Sequence, residues 1–239
     1  MRTEIFEDAA ATARGLSHEL LRLMQEKEGK PFFLAISGGS TPSLWFRILA
    51  NEFAERINWN ALRLFWVDER CVEPTHPESN YGVAKQLLLD RVPLAPEQVF
   101  RIYGEAHPAE EANRYSAQAE SFIPATNGVL RFDLVVAGLG TDGHTSSIFP
   151  GQEALLTCKS SYAVSEHPVS KQRRVALTGQ PMIGSRNLLF HLTGGEKSAI
   201  LQQVLHPSAG GKMLPSAYIL ERALNPALFI DRAAAAGGK

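Results

Sequence analysis

The sequence predicts a doubly wound α/β fold: a mostly parallel open sheet with helices on both faces. Three observations carry this. Short apolar runs such as PFFLAIS (31–37) and LRFDLVVAGLG (130–140) lack the polar alternation of a strand with one wet face. Near-continuous apolar strands are those buried on both faces, as in parallel sheets. Helix-forming stretches alternate with these runs, which is the βαβ order. Polar, glycine-rich segments then follow the strands at their carboxyl ends, where open α/β sheets bind ligands.

Taken in order, residues 7–28 read as a helix, with Leu16, Leu20, Leu23 and Met24 on one face and Gly29 as its stop. The strand 31–37 follows. STPSLWFRILANEFAER (40–56) is the next helix, with Ser40 or Thr41 as its cap and Pro42 in its first turn. LRLFWVD (62–68) is a strand, ESNYGVAKQLLLD (78–90) a helix, VFRIYG (99–104) a short strand and PAEEANRYSAQAESF (108–122) a helix. The strand 130–140 is the most hydrophobic. RRVALTG (173–179) and NLLFHLTG (187–194) are expected strands, and GEKSAILQQVL (195–205) is a helix opening on a Gly-Gly turn. The terminal AAAAGGK reads as a frayed helix end. No long linker, low-complexity tract or internal repeat interrupts the pattern, so one domain over 1–239 is the simpler count.

Composition narrows the function classes. At 44% hydrophobic and 21% charged residues, the 239-residue chain is globular in type, with length enough for a sizeable core. Its formal charge of −1 gives no global field to recruit nucleic acid or an acidic membrane surface. Any anion must be held by a local cluster of Lys and Arg. Cys71 and Cys158 are too few for a disulfide framework and form no C-x-x-C pair, as expected of reduced thiols in a cytoplasmic protein. The acidic start MRTEIFEDAA lacks the apolar core of a signal peptide, and no apolar run approaches the roughly 18 residues that cross a bilayer.

Four post-strand segments hold the chemistry, and in a parallel sheet all would open on one edge. SGGST (Ser37, Gly38, Gly39, Ser40, Thr41) precedes a helix, where backbone N–H groups and the helix dipole suit a phosphate. It is neither GxxxxGK[ST] nor GxGxxG, and the same residues also suit an ordinary capped turn. DER places Asp68 and Arg70 at a strand end, where the guanidinium can clamp an anionic oxygen or simply face solvent. Lys197 follows Gly194-Gly195 near a helix start, where the dipole mildly disfavours a cation unless an anion shares the site; Arg174 begins a strand. GLGTDGHTSS (138–147) is the richest. His144 is the only one of seven histidines in a glycine-rich loop after a core strand, and an imidazole suits general-base work near neutrality. Asp142 is close enough to orient it only if the chain turns there. No second His or Cys lies at ligand spacing, so no metal site is expected. GxSxG is absent, which disfavours a serine nucleophile despite Ser146 and Ser147.

These motifs, SGGSTP (37–42), DER with SNY (79–81), GLGTDGHTSSIFPG (138–151), RVALT (174–178) and TGGEK (193–197), occur in the order found in the 6-phosphogluconolactonases, which the chain resembles from about residue 5 to 235. That group is related to the glucosamine-6-phosphate deaminases. The resemblance implies a Rossmann-like single domain and hydrolysis of 6-phosphoglucono-δ-lactone in the oxidative pentose phosphate pathway, with no cofactor. It implies His144 as general base with Asp142 beside it, Arg70 and Lys197 on the substrate phosphate, Arg174 and the 37–41 loop as further phosphate contacts, and Asp68 as a site residue. The deaminases resemble DGHIAFNEPG here, with a Glu five positions after the His. This chain has Phe149 there, which disfavours deamination. Ser146 stands where the lactonase pattern usually has Ala. The alternatives are another sugar-phosphate isomerase or deaminase and a non-catalytic sugar-phosphate sensor. The expected partner is a small phosphorylated lactone, with no nucleic acid or membrane, for a monomer or small homo-oligomer.

Overall fold

A computed structural model describes residues 1–207 and 213–236. The chain runs β1 (Arg2–Phe6), α1 (Ala9–Glu26), β2 (Phe32–Ile36), α2 (Ser40–Glu52), β3 (Leu62–Trp66), β4 (Asp68–Arg70), α3 (Asn80–Leu87) and α4 (Pro108–Phe122). A small hairpin of β5 (Ala125–Thr126) and β6 (Val129–Leu130) precedes β7 (Leu134–Ala137) and α5 (Ala154–Thr157). Then come β8 (Tyr162–Glu166), β9 (Arg173–Leu177), α6 (Gly179–Gly184), β10 (Leu188–Leu192), α7 (Ser198–Leu205), α8 (Pro215–Arg222), β11 (Pro226–Asp231) and α9 (Arg232–Ala235).

Six strands form one parallel sheet in the order β1-β11-β10-β7-β2-β3. Every residue of β2, β7 and β10 is buried, so the apolar runs are central strands covered on both faces. α1 and α2 pack together against the sheet, and Trp45 of α2 donates its indole N–H to Ser17 of α1 at 3.1 Å. The α/β reading of the sequence therefore holds, with six parallel strands and helices around them.

The sequence did not foretell a second sheet. β4, β9 and β8 form an antiparallel sheet, so 173–177 leaves the parallel array expected for it. The expected strand 62–68 divides at Val67. Its N–H still reaches Ile36 in the parallel sheet, at 2.8 Å, while its carbonyl accepts from Leu177 of the antiparallel one, at 2.7 Å. Apolar composition alone cannot show that one continuous run serves two sheets. Strands β1, β8 and β11 were also missed, β1 because it lies at the sheet edge with most of its residues exposed.

The expected strand 99–104 is reduced to one bridge, Leu64 with Val99, and a Phe100 N–H bond to Leu64 at 2.8 Å. A side chain takes over beyond it. The Tyr115 hydroxyl accepts from Trp66 N–H at 3.0 Å and donates to Phe100 carbonyl at 2.6 Å, where direct ladder bonding would continue. Tyr162 donates to the Trp66 carbonyl at 2.9 Å. Two tyrosines thus satisfy the outer edge of β3, and burial pushes both phenols well above their ordinary pKa, so each stays a proton donor.

Helix ends also shift from the sequence reading. The helix predicted over 40–56 ends at Glu52 and that over 78–90 spans only Asn80–Leu87, while 195–197 is a 3-10 turn before α7. The frayed C-terminal helix resolves as α9, and residues 237–239 lie outside the described residues.

Replacing Tyr115 by Phe would leave the Trp66 N–H and Phe100 carbonyl unpaired at a fully buried position. We expect a loss of about 2–4 kcal/mol. It should appear as a lower denaturant midpoint at unchanged m, and an unaltered midpoint would contradict the bridge.

Candidate active site

The strand order fixes where the site lies. From β2 the chain moves outward to β3, whereas β7 is followed in the sheet by β10 and β11 in the opposite direction. Loops leaving β2 and β7 therefore diverge, opening the crevice in which α/β sheets bind ligands. A pocket of about 230 Å3 occupies it. The 37–41 loop forms one side, and His144 with the 138–140 turn forms another. Asp68 and Arg70 enter from β4, Arg174 from β9 and Lys197 from the turn after β10. Of the expected catalytic and substrate-binding residues, all line this pocket except Asp142, which stands behind His144.

The β2 loop is not a capped turn. Gly39, at φ +112°, occupies the cap position of α2, and no side chain among the described residues caps the helix. Thr41 instead meets Thr193 of the opposite loop, Oγ1 to Oγ1 at 3.1 Å. The expectation that Ser40 or Thr41 serves as the cap is thus corrected, and the first N–H groups of α2 are left for a ligand. Gly38 is needed for a different reason: a Cβ there would lie 1.8 Å from Asn80 Oδ1.

The β7 loop turns back on itself. Gly140 and His144 are joined by a backbone bond of 2.9 Å, and a Cβ on Gly140 would fall 2.1 Å from His144 Nδ1. This turn lets Asp142 Oδ1 reach the backbone N–H of His144 at 3.1 Å and its Nδ1 at 2.6 Å. Partial burial works to raise the Asp142 pKa, but the hydrogen bonds and charge of His144 outweigh it and hold the carboxyl at about 2. With the carboxylate ionised, Nδ1 carries the proton, leaving Nε2 with its lone pair. Phe149 braces the ring from behind, fully buried with centroids 4.6 Å apart, and packs on His167 at 5.0 Å.

DER obeys strand alternation. Asp68 and Arg70 face the pocket, while Glu69 points away into the protein. Glu69 accepts from the N–H groups of Arg70, Asn80 and Tyr81 at 2.8, 2.7 and 2.7 Å and from the Ser79 hydroxyl at 3.0 Å. Burial drives its pKa upward against these four donors, which clamp β4 to the start of α3. Asp68 is 8% exposed, accepts from Ser147 Oγ at 2.5 Å and lies 3.8 Å from Arg174 Nη1.

Arg70 and Arg174 face each other directly across the β4–β9 ladder. Like charges opposed on a strand pair are destabilising. Arg70 Nη1 reaches the Glu78 carbonyl at 2.5 Å and Arg174 Nη1 the Ser147 hydroxyl at 3.1 Å, yet the Nε of each is buried without a partner among the described residues. Burial lowers the Arg174 pKa, Asp68 opposing and Arg70 adding to the effect. Two facing guanidiniums with unused donors are chemically suited to clamp an anion. Lys197 adds an ammonium to the pocket, anchored to the Leu139 carbonyl at 2.9 Å.

Sequence reasoning assigned no role to the supports of this site. Asn80 lines the pocket and ties to the Asp68 carbonyl at 2.7 Å. Ser146 and Ser147 sit in the left-handed region, at φ 51° and 55°, costing about 1 kcal/mol each. Ser146 Oγ repays part of it by bonding the carbonyls of Val67 and Leu177 at 3.1 and 2.7 Å, across the seam between the two sheets. It does more than fill the space of the usual Ala. The SNY segment flagged Asn80; no local signal marked the seam.

An oriented histidine and paired guanidiniums at a parallel-sheet switch point define an enzyme-type α/β pocket for a small anionic substrate. The chain belongs to the glucosamine-6-phosphate isomerase/6-phosphogluconolactonase family, whose sequence profile matches residues 7–227. The 6-phosphogluconolactonase of Treponema pallidum is 39% identical over 204 residues, 85% of this chain and 84% of that protein. That of Haemophilus influenzae is 36% identical over 205 residues, 85% and 86% of the two chains. The structure of 6-phosphogluconolactonase from Trypanosoma brucei superposes with a TM-score of 0.87 at 26% identity, covering 98% of this chain and 97% of that one. No helix among the described residues is long and apolar enough to cross a membrane, and no cluster of three metal-type ligands occurs among them.

The depressed Asp142 carboxyl gives a signed pH effect. Its pKa in the folded chain, about 2, is below the ordinary 3.8, so its stabilisation is present above pH 4 and disappears as pH falls toward 2. The stability difference between wild type and Asp142→Asn should shrink on acidification from pH 5 to 2.5. A difference that grows would show that the pairing is misassigned.

Proposed function

We propose that this chain hydrolyses 6-phosphoglucono-δ-lactone to 6-phosphogluconate, the step its relatives' names describe, within the oxidative pentose phosphate pathway. The observation that carries the mechanism is the Asp142–His144 pair at 2.6 Å, facing a pocket that Arg70, Arg174 and Lys197 make cationic.

His144 Nε2 takes a proton from water as the water oxygen bonds to the lactone C1. Asp142 keeps the Nδ1 proton in place and stabilises the imidazolium that forms. Pocket N–H groups and cations receive the negative charge that develops on the carbonyl oxygen. The C1 to ring-oxygen bond then breaks, the ring oxygen takes the proton back from the imidazolium, and the new acid releases its own proton to solvent. Arg70, Arg174, Lys197 and the N–H groups of the 37–41 loop grip the phosphate and hold C1 in register with the water. Asp68 steadies Arg174 rather than reacting. No cofactor takes part, and a small phosphorylated lactone is the only partner this chemistry requires. We read the enzyme as cytoplasmic, one α/β domain over 1–239, a monomer or small homo-oligomer without nucleic acid or membrane partners.

Phe149 separates this reading from sugar-phosphate isomerisation or deamination. A fully buried phenyl ring against His144 offers no carboxylate for ring opening.

Freshly prepared lactone, assayed beside glucosamine 6-phosphate, tests the reading against the rapid spontaneous hydrolysis. Turnover of only glucosamine 6-phosphate would overturn it. His144→Ala is expected to lose about 10²–10⁴ in kcat. Arg174→Ala should instead raise KM by about tenfold or more, through loss of charged hydrogen bonds.

A further inference from the structure

His191 is the one histidine of the pocket that the mechanism leaves idle. It lies on β10 and lines the same pocket as Thr41, Pro42 and Lys197, yet it is only 2% exposed. Alternate residues of β10 and the turn beyond it share a face, and that face looks at α2. Thr193 meets Thr41 at 3.1 Å, and the His191 ring stands edge-on to Trp45 with centroids 6.5 Å apart. The imidazole thus packs on Trp45 and lines the pocket together with Ser40, Thr41 and Pro42 of the first turn of α2, whose N–H groups have no side-chain cap among the described residues.

Among the described residues, neither ring nitrogen of His191 has a hydrogen-bond partner. Burial pushes its pKa down to about 3, so it is neutral, and one nitrogen carries a proton with nothing to receive it. A buried unpaired donor is costly, and a leucine of similar size would fill the site among Trp45 and its apolar neighbours without that cost. Aromatic packing therefore does not account for a histidine here. An acceptor must come from the pocket, where the helix N-terminus and Lys197 already favour an anion.

We propose that His191 is a positioning residue for the substrate's phosphate: its neutral imidazole donates an N–H to the anion seated at the N-terminus of α2. The contact closes when the ligand arrives, since binding-site hydrogen bonds commonly tighten only in the complex. A neutral donor adds direction to a subsite whose other members supply charge. The identity of the anion as the phosphate of a sugar lactone rests on the lactonase reading; its place at the N-terminus of α2 does not.

Two measurements separate these claims. For lactone hydrolysis, His191→Leu should raise KM by about 10- to 100-fold, the worth of a hydrogen bond to a charged group, with kcat within about threefold. His191→Gln, which keeps an N–H donor, should recover part of the loss. The second measurement uses inorganic phosphate alone. Millimolar phosphate should raise the melting temperature of wild type more than that of His191→Leu, while the unliganded Leu variant melts no lower than wild type. Equal phosphate responses, or an unchanged KM, would overturn the role of His191. A kcat loss with KM unchanged, or a Leu variant that melts lower without ligand, would mark a structural residue instead and equally overturn it. Should wild type fail to hydrolyse the lactone yet keep its phosphate response, with the Leu variant losing it, the lactonase reading would fall and the anion site would stand.

Discussion

Much of the structure depends on what happens at Val67. There the backbone bonds backward to Ile36 in the parallel sheet and forward to Leu177 in the antiparallel one. One residue therefore carries the chain directly from the parallel sheet into the antiparallel one. Because β4 emerges on the far side of this joint, Asp68 and Arg70 are carried across the open edge of the parallel sheet rather than out into solvent. Ser146 holds the same seam through the carbonyls of Val67 and Leu177, so the loop bearing His144 and the strand bearing Arg70 are registered to one point. A misfit at the seam would move His144 and Arg70 relative to each other, and the proposed attack tolerates little displacement.

The site keeps several unfavourable arrangements. Two arginines face each other, two serines lie in left-handed conformations, and three pocket side chains carry buried polar nitrogens without partners among the described residues. Each is destabilising when the pocket is considered alone. On the proposed reading, an anion with several acceptor oxygens would relieve the facing arginines and the unpaired nitrogens, while Ser146 offsets part of its own strain through the Val67 and Leu177 carbonyls. The surrounding core tolerates this because its central strands are wholly buried and its edge is closed by the Tyr115 and Tyr162 hydroxyls.

What the sequence disclosed and what it hid follow from range. Central strands such as 32–36 and 188–192 were legible because burial on both faces leaves a continuous apolar trace. The pocket residues were legible because they follow those strands at short distance, as Ser37 follows β2 and Gly138 follows β7. The antiparallel sheet was hidden, since pairing of 68–70 with 174–176 is a contact between distant segments with no local signature. The strand expected at 99–104 failed for a related reason. Its β-like composition was real, but beyond Phe100 N–H a tyrosine from α4 takes the Phe100 carbonyl in place of the ladder. Asp142 was the intermediate case: its closeness to His144 in sequence was visible, and only the folded turn could show that the two side chains meet.

The openness of the Asp142–His144 pair has a further consequence. Their side chains are 44% and 28% exposed, unlike the enclosed dyads that guard a reactive covalent intermediate. With His144 as the proposed base, contact with bulk solvent keeps the nucleophile permanently at hand, so no separate seat for water has to be constructed. That arrangement would be ruinous for a transferase, whose activated donor would be lost to hydrolysis before its acceptor arrived. For a reaction in which water is itself the co-substrate, leakage and turnover are the same event.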